Sequence, residues 1–401
     1  MDIFQELGQG IEAAWSARDY DERAFPALAA AALSARQIQR QLGARDVLRW
    51  LLAAPGLPLQ HDLPAAFGQP PITVFRGRRF FVDVNLWREG STAIHRHGFS
   101  GAFQVLDGSS LHARYAFDVR RRVSARLLLG DLRLLDAEVE ARGTVTEITH
   151  DLVHCLFHLE TPSASIVVRT GREDDVGPQF SYLPPHVAED PFSTSDPITV
   201  RRRQGLGFAR RSYPAEYAEL AAGVIEGSDL HTAYLVLKDA FHGPGAADHA
   251  AGLAAVARRR HGPVMDELVA SIRQQLRDEK LARLYRNEKD PDLRFFLGLL
   301  RNLPDRRSIY AVLRRRSPEI DPRERVLAWM RVLSGVDAIG VDLGDSLNAR
   351  IVEALLDGSA DEALLARLAE GFSADEVRSA APRLLRHAGR IRETSLFPLF
   401  R

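Results

Sequence analysis

The spacing of apolar residues changes twice along this chain. Over residues 1–54 they recur at helical intervals, with Phe4, Leu7 and Ile11 on one stripe and Ile38, Leu42, Val47, Trp50 and Leu51 on another. The residues from Asp19 to Glu22, together with Pro26, separate the two. Residues 55–71 are rich in Pro and Gly and read as an ordered lead-in loop. Over residues 72–171 the spacing shortens to alternation, which predicts strands. Arg120, Arg121 and Arg122 read as a solvated hairpin tip. Residues 171–203 are loop-like: acidic at 173–175, then Pro184-Pro185 and Asp190-Pro191. From Pro214 the helical period returns, with one stripe at Leu293, Phe296, Leu297 and Leu300 and another at Val326, Trp329, Met330 and Leu333. Asn302-Leu303-Pro304 ends one helix, and Pro318 and Pro322 end another. The pattern predicts an α+β multidomain chain. A helical cover and lead-in occupies 1–71, a β-rich domain 72–200 and an all-α domain 201–401. The last could be a bundle or a short solenoid, but no fixed period marks repeats.

Within the β-rich segment, two stretches carry histidines. Residues 92–94 and 102–106 suit strands, with Gly98 and Gly101 marking a bend. Alternation makes His95 and His97 point together and Arg96 away. Later, His154, Leu156 and His158 share one face of an expected strand, while Val153, Cys155, Phe157 and Leu159 share the other, and His150 leads in. Imidazoles gathered inside a sheet need a partner, and a divalent metal held by His95, His97 and His154 is the expected one. Core histidines satisfied by backbone are the competing reading. His158 is expected either beside the ligands or filling the barrel. A one-residue slip would turn Cys155 inward, which the alternation opposes.

These residues resemble the cupin superfamily, whose fold is a small double-stranded β-barrel of jelly-roll type. Gly90, His95, His97 and Gly108 match its first motif, and Gly143 and His154 its second, with His158 where an Asn is usual. The region is most similar to the cysteine dioxygenase (thiol dioxygenase) branch. W-x-E-G at 87–90, I-H-x-H at 94–97, Ser100, Phe103, Leu106 and I-x-x-x-x-x-H at 148–154 follow that branch's order. The resemblance covers roughly residues 72–171 and implies a cupin barrel with a three-histidine metal site. The first motif's usual Glu would fall near Gly101 or Ala102, neither of which can ligate. The branch's Tyr after the second motif is absent from residues 166–171, and so is its cross-linking cysteine near residues 101–103.

Composition narrows the function classes. Lys+Arg and Asp+Glu both number 53 in 401 residues, so no global basicity points to nucleic acid. Lys occurs only at 238, 280 and 289, a bias that fits a GC-rich bacterial genome. The single Cys155 excludes internal disulfides and suits a reducing compartment. Residues 1–6 lack a signal-peptide pattern, and no apolar run reaches the ~20 residues a membrane span needs. A cytoplasmic location is expected. Arg76 and Arg169 are candidate anchors for a substrate carboxylate, against a bland role as solvated strand residues. Gln104 and His112 join His158 as candidates for supporting the metal or touching substrate, with His112 expected near a strand rim. Glu89 and Trp87 are expected to shape the barrel. His231, His242, His249 and His261 have no ligand spacing.

The expected protein is a non-haem Fe(II) oxygenase resembling thiol dioxygenases and acting on a small organic substrate. Zn(II), Mn(II) or Ni(II) remain possible, in a non-redox isomerase or lyase. A small-ligand-binding regulatory barrel is the third possibility. The helical half is expected to carry no chemistry and to serve cover, homodimer formation or a protein partner. A fragment ending near residue 200 is then expected to keep the metal site if it stays soluble. Cysteine is not expected to be the substrate: if Val168 faces inward beside Phe103 or Val105 and Leu156, the lining is too apolar for a zwitterion. Pro162 leaves that face open, because it starts a new strand.

Overall fold

The computed structural model describes residues 2–61, 63, 67–88, 90–173, 176–192, 196–243, 245–334, 339–369 and 373–401. Glu89 and two of the acidic residues at 173–175, Asp174 and Asp175, lie outside the described residues. The chain opens with α1 (Asp2–Ser16), α2 (Phe25–Arg36) and α3 (Ala44–Ala53). Phe4, Leu7 and Ile11 are fully buried, as their spacing predicts. Pro26 does not break a helix. It sits in the first turn of α2, where its missing N–H would have no intrahelical partner anyway. The second predicted stripe divides: Ile38 belongs to a short 3₁₀ turn, and Val47, Trp50 and Leu51 belong to α3.

Eleven strands follow among the described residues: β1 (Pro71–Arg76), β2 (Phe80–Trp87), β3 (Ile94–His95), β4 (Gly101–Asp107), β5 (Ser110–Ser124), β6 (Leu127–Glu140), β7 (Val145–Ile148), β8 (Val153–His158), β9 (Ser163–Thr170), β10 (Ser181–Leu183) and β11 (Val187–Glu189). They form a five-stranded sheet in the order β1-β2-β9-β4-β7 and a closed antiparallel barrel in the order β10-β11-β6-β5-β8-β3. β10 and β11 fall where the sequence pattern reads as loop. Three-residue strands are too short to display alternation, yet Ser181 pairs with His95 and Val187 with Leu129, and these pairings close the barrel. Arg120, Arg121 and Arg122 lie within β5 rather than at its tip, and the turn is at Ala125 and Arg126. Arg120 is tied to Asp131 (2.8 Å) and to Glu267 (2.6 Å).

Alternation decides which side chains each face offers. On β4, Ala102 and Leu106 pack with the N-terminal helices, and Phe103 faces the other way. On β9, Ala164, Ile166 and Val168 pack with those helices, while Val167 joins Phe103, Ile148 and Leu156 in a small cluster between the sheets.

The remaining chain is helical: α4 (Pro197–Ser212), α5 (Tyr217–Glu226), α6 (Leu230–His242), α7 (Ala246–His261), α8 (Val264–Asn287), α9 (Pro291–Asn302), α10 (Arg306–Arg316), α11 (Pro322–Val332), α12 (Ser346–Leu356), α13 (Asp361–Leu368) and α14 (Ala374–Arg392). Asp196, Asp290 and Asp321 each cap a helix whose first residue is Pro, so Pro322 begins α11 rather than ending α10. The predicted stripe of α9 is buried against the outer face of β8 and β5, in one hydrophobic core with Leu111, Ala113, Cys155 and Phe157. A Cβ on Gly298 would meet the Phe157 ring at 2.6 Å, so glycine is what lets α9 approach β8. Tyr285 donates to the His158 carbonyl (2.5 Å) and Arg294 to that of Leu159 (3.2 Å). No helix among the described residues is long and apolar enough to cross a membrane.

Candidate metal centre

His95 and His154 are directly opposite each other across β3 and β8. β3 is only two residues long, so His97 follows the strand instead of lying on it. The three rings nevertheless converge. Their potential ligand nitrogens all lie within 4.8 Å of one another, and His95, His97 and His154 are buried. His95 Nε2 and His97 Nε2 are 3.0 Å apart. Burial holds all three imidazoles below the usual histidine range, His97 and His154 well below it, so they are neutral near pH 7.

Hydrogen bonds fix which nitrogens can act as ligands. The Ala93 carbonyl can only accept, so His95 Nδ1 carries the proton that reaches it (2.8 Å), and the lone pair is left on Nε2. On the other side, Glu140 Oε1 receives Thr146 Oγ1 (2.7 Å) and pairs with His112 Nδ1 (2.8 Å). His112 Nε2 in turn pairs with His154 Nδ1 (2.8 Å). In the tautomer that donates Nδ1–H to Glu140, His112 accepts from His154, leaving a lone pair on His154 Nε2. That atom is buried and has no hydrogen-bond partner. An orphaned, inward, neutral nitrogen beside two others is what a cation site requires. With metal–nitrogen bonds of about 2.1 Å, two ligands at a right angle stand ~3.0 Å apart, so the His95–His97 separation fits as well.

The other predicted candidates fall in several places. His112 is not near a rim: it is fully buried on β5 and touches a site nitrogen. His158 stacks on Trp87 (4.5 Å, 23° between planes) and lies apart from the three-nitrogen group, with its Nε2 unpartnered. Burial pushes the His158 imidazole down to about 3. Gln104 shares the helix-facing side of β4 and, among the described residues, reaches the Gly143 carbonyl at 3.5 Å. Arg76 ends β1, exposed, over the Phe81 ring (5.6 Å). Cys155 points away from the site, toward Asn302 (3.3 Å). Gly101 explains the missing carboxylate: any Cβ there would collide with the Val168 carbonyl, so no Glu can stand at that position.

Arg169, unlike Val168, faces a cavity of about 340 Å³ that opens onto His95 and His97. Phe67, Phe99, Val167 and Phe192 supply its apolar wall. Asp83 lies beneath, receiving Arg169 Nε (3.0 Å) and Thr73 Oγ1 (3.0 Å). Burial raises the Asp83 carboxyl, but the His61 contact and the Arg169 charge more than offset it and hold it below its ordinary range. His61 Nε2 meets Arg169 Nη2 (2.6 Å) and Nδ1 meets Thr73 Oγ1 (3.1 Å). This His61-Thr73-Asp83 group was missed in the sequence. His61 sits in the irregular lead-in, where no periodicity gives it a direction. Glu140 was missed too, its burial being invisible beside the exposed Glu138.

The Glu140-His112-His154 chain carries a test. His112→Phe keeps ring volume but removes the acceptor for His154 Nδ1–H. Metal affinity should fall by about 10–100-fold while stoichiometry at saturation is kept. Competition against a chelating dye reads the affinity. Unchanged affinity would mean that the chain does not orient His154.

No protein-family model matches this chain, and no curated protein does. Parts of solved structures resemble it. TT1209 from Thermus thermophilus is 16% identical over 27% of this chain and 91% of that one, with a TM-score of 0.20. A cupin-2 domain protein from Shewanella frigidimarina is 11% identical over 26% and 82%, with a TM-score of 0.18. Hydroquinone 1,2-dioxygenase from Sphingomonas sp. TTNP3, solved with 4-hydroxybenzoate, is 11% identical over 26% and 68%, with a TM-score of 0.22. At these TM-scores the barrel rests on its own strand pairings.

Proposed function

We propose that the barrel is a metal-dependent cupin of jelly-roll type and that it acts as a non-haem Fe(II) oxygenase on a small, partly apolar organic acid. His95 Nε2, His97 and His154 Nε2 would hold the metal. The observation that carries this reading is the buried, partnerless His154 Nε2, set toward two other neutral imidazoles. Fe(II) held by three neutral imidazoles keeps coordination positions open and supplies electrons for O₂ activation. The Ala93 carbonyl and His112 keep their protons on Nδ1 of His95 and His154, so that both rings stay aimed. Phe67, Phe99 and Val167 would shield substrate from water, and Arg169, held by Asp83, would place an anionic end. Cysteine suits this pocket poorly, since three aromatic side chains and Val167 would face a small zwitterion.

Protein purified without oxygen or an affinity tag should contain one equivalent of divalent metal. After anaerobic loading with Fe(II), oxygen uptake with aromatic or aliphatic carboxylates should depend on the iron. Rapid stoichiometric conversion of cysteine to its sulfinate would overturn the substrate reading. A barrel that neither carries nor accepts metal would overturn the whole.

A further inference from the structure

A second cavity, of about 330 Å³, lies on the opposite side of β3, between the barrel and α8, α9 and the C-terminal segment. That size falls within the range of small-molecule sites. Ile94 lines it, so an occupant would touch the strand that carries His95 from the face opposite the metal centre. One wall is apolar, built from Ile94, Leu132, Leu134, Leu303 and Phe397. The other is cationic, with Arg273 and Arg277 one turn apart on α8 and Arg301 on α9.

Arg277 has an internal ion pair, and among the described residues the other two arginines do not. Arg277 is held in place by Glu393 (3.0 Å) and Gln274 (2.8 Å), with its guanidinium over the Phe397 ring (4.4 Å). Among the described residues, Arg273 and Arg301 have no hydrogen bond or ion pair from their guanidinium groups, although many other arginines of this chain do. Asp278 lies close by on α8, and burial pushes it up to about 7 despite Arg301 and Arg277. Among the residues that line the cavity, these three arginines face a single carboxylate side chain, Glu393, so the wall carries excess positive charge. Guanidinium forks match the paired oxygens of a carboxylate or a phosphate.

We propose that this cavity binds a small organic anion, its carboxylate or phosphate on Arg273, Arg277 and Arg301 and its apolar body against Ile94, Leu132, Leu134 and Phe397. The site is separate from the metal pocket and does not depend on the metal.

Titration calorimetry on the full-length, metal-free protein tests it, with benzoate and phenyl phosphate as probes. Sodium chloride at equal ionic strength and inorganic phosphate serve as comparisons. At least one aromatic anion should bind with one-to-one stoichiometry and more tightly than inorganic phosphate. The better probe identifies the head group. Arg301→Gln and Arg273→Gln should each weaken it about 10-fold or more, since each removes a charge-assisted hydrogen bond to the anion. Neither removes a hydrogen-bond partner from another residue. Arg273→Gln should unfold at the wild-type temperature, and an unfolding curve for Arg301→Gln accounts for the charge that Asp278 loses. Arg169→Gln, in the metal pocket, should leave this binding unchanged. Heats no larger than those of sodium chloride would overturn the proposal. So would binding lost in Arg169→Gln but kept in Arg301→Gln and Arg273→Gln.

Discussion

Replacing His154 with alanine should abolish stoichiometric metal binding while the protein stays folded. The side chain lost is fully enclosed, but no hydrogen bond is made by its Nε2, and only His112 loses a partner. Removing one of three imidazoles leaves two ligands and a gap that water fills poorly in a buried site. Affinity should drop by several orders of magnitude, more than the loss expected for His112→Phe, where all three ligands remain. His95→Ala and His97→Ala should behave alike. His158→Ala is the internal control: its ring stacks on Trp87, outside the group of convergent nitrogens, so metal content should be unchanged. Metal analysis after anaerobic purification decides. Metal retained by His154→Ala and lost by His158→Ala would mean that His158, not His154, is the ligand on β8.

The contrast between His154 and His158 was only half legible in the sequence. Alternation places both on one face of β8 and Cys155 on the other, and it does so because β8 is a regular six-residue strand. Alternation has no means of saying which histidine is opposite β3. That is set by register, His95 against His154, which involves a strand of two residues. His112 was similarly half-legible. It falls on the predicted strand, but its depth depends on its pairing with Leu156 across β8 and Glu138 across β6. The orientation of β9 was undetermined for a local reason. Pro162 interrupts the chain between β8 and β9, so the face of His154 gives no phase for Val168 and Arg169. The N-terminal helices fix it instead: they take Ala164, Ile166 and Val168, which leaves Val167 and Arg169 facing the cavity. An inner wall with Arg169 and Asp83 suits an acid better than the wholly apolar wall that an inward Val168 would have made.

At the level of the fold, the helix-strand-helix order followed from periodicity, because long elements repeat their pattern often enough to be read. What periodicity missed were features defined by partners. β10 and β11 are too short to repeat anything, yet they close the barrel. Pro322 reads as a helix end but is a helix start, with Asp321 as the cap and Pro in the first turn, and the Asp-Pro pairs at 196–197 and 290–291 start helices in the same way. A boundary near residue 200 was read from a change of period. The packing beyond it was not legible: an alternating strand with two apolar faces looks the same whether its outer face meets a helix or a partner chain.

That shared packing sets the second large effect. Phe157→Ala should destabilise the protein by about 3–5 kcal/mol, a large part of the ~5–15 kcal/mol that domains typically have. Phe157 is fully buried, its ring lies 4.5 Å from that of Tyr285, and α9 approaches it at Gly298. Truncation would leave a void between β8 and α9 that neither rigid element can easily close. A fragment ending near residue 200 should fare worse still. It would expose the outer faces of β5 and β8, including Leu111, Ala113, Tyr115, Cys155 and Phe157, which the C-terminal helices cover. Such a fragment should aggregate instead of keeping the metal site, contrary to what the change of period alone suggests. Phe157 points away from His154, so the folded fraction of Phe157→Ala should still bind one equivalent of metal, unlike His154→Ala. Urea unfolding and metal analysis on the same preparations separate the two effects. A monomeric 1–200 fragment with full metal content, together with a Phe157→Ala loss below about 1 kcal/mol, would show that the barrel stands without its helical flank.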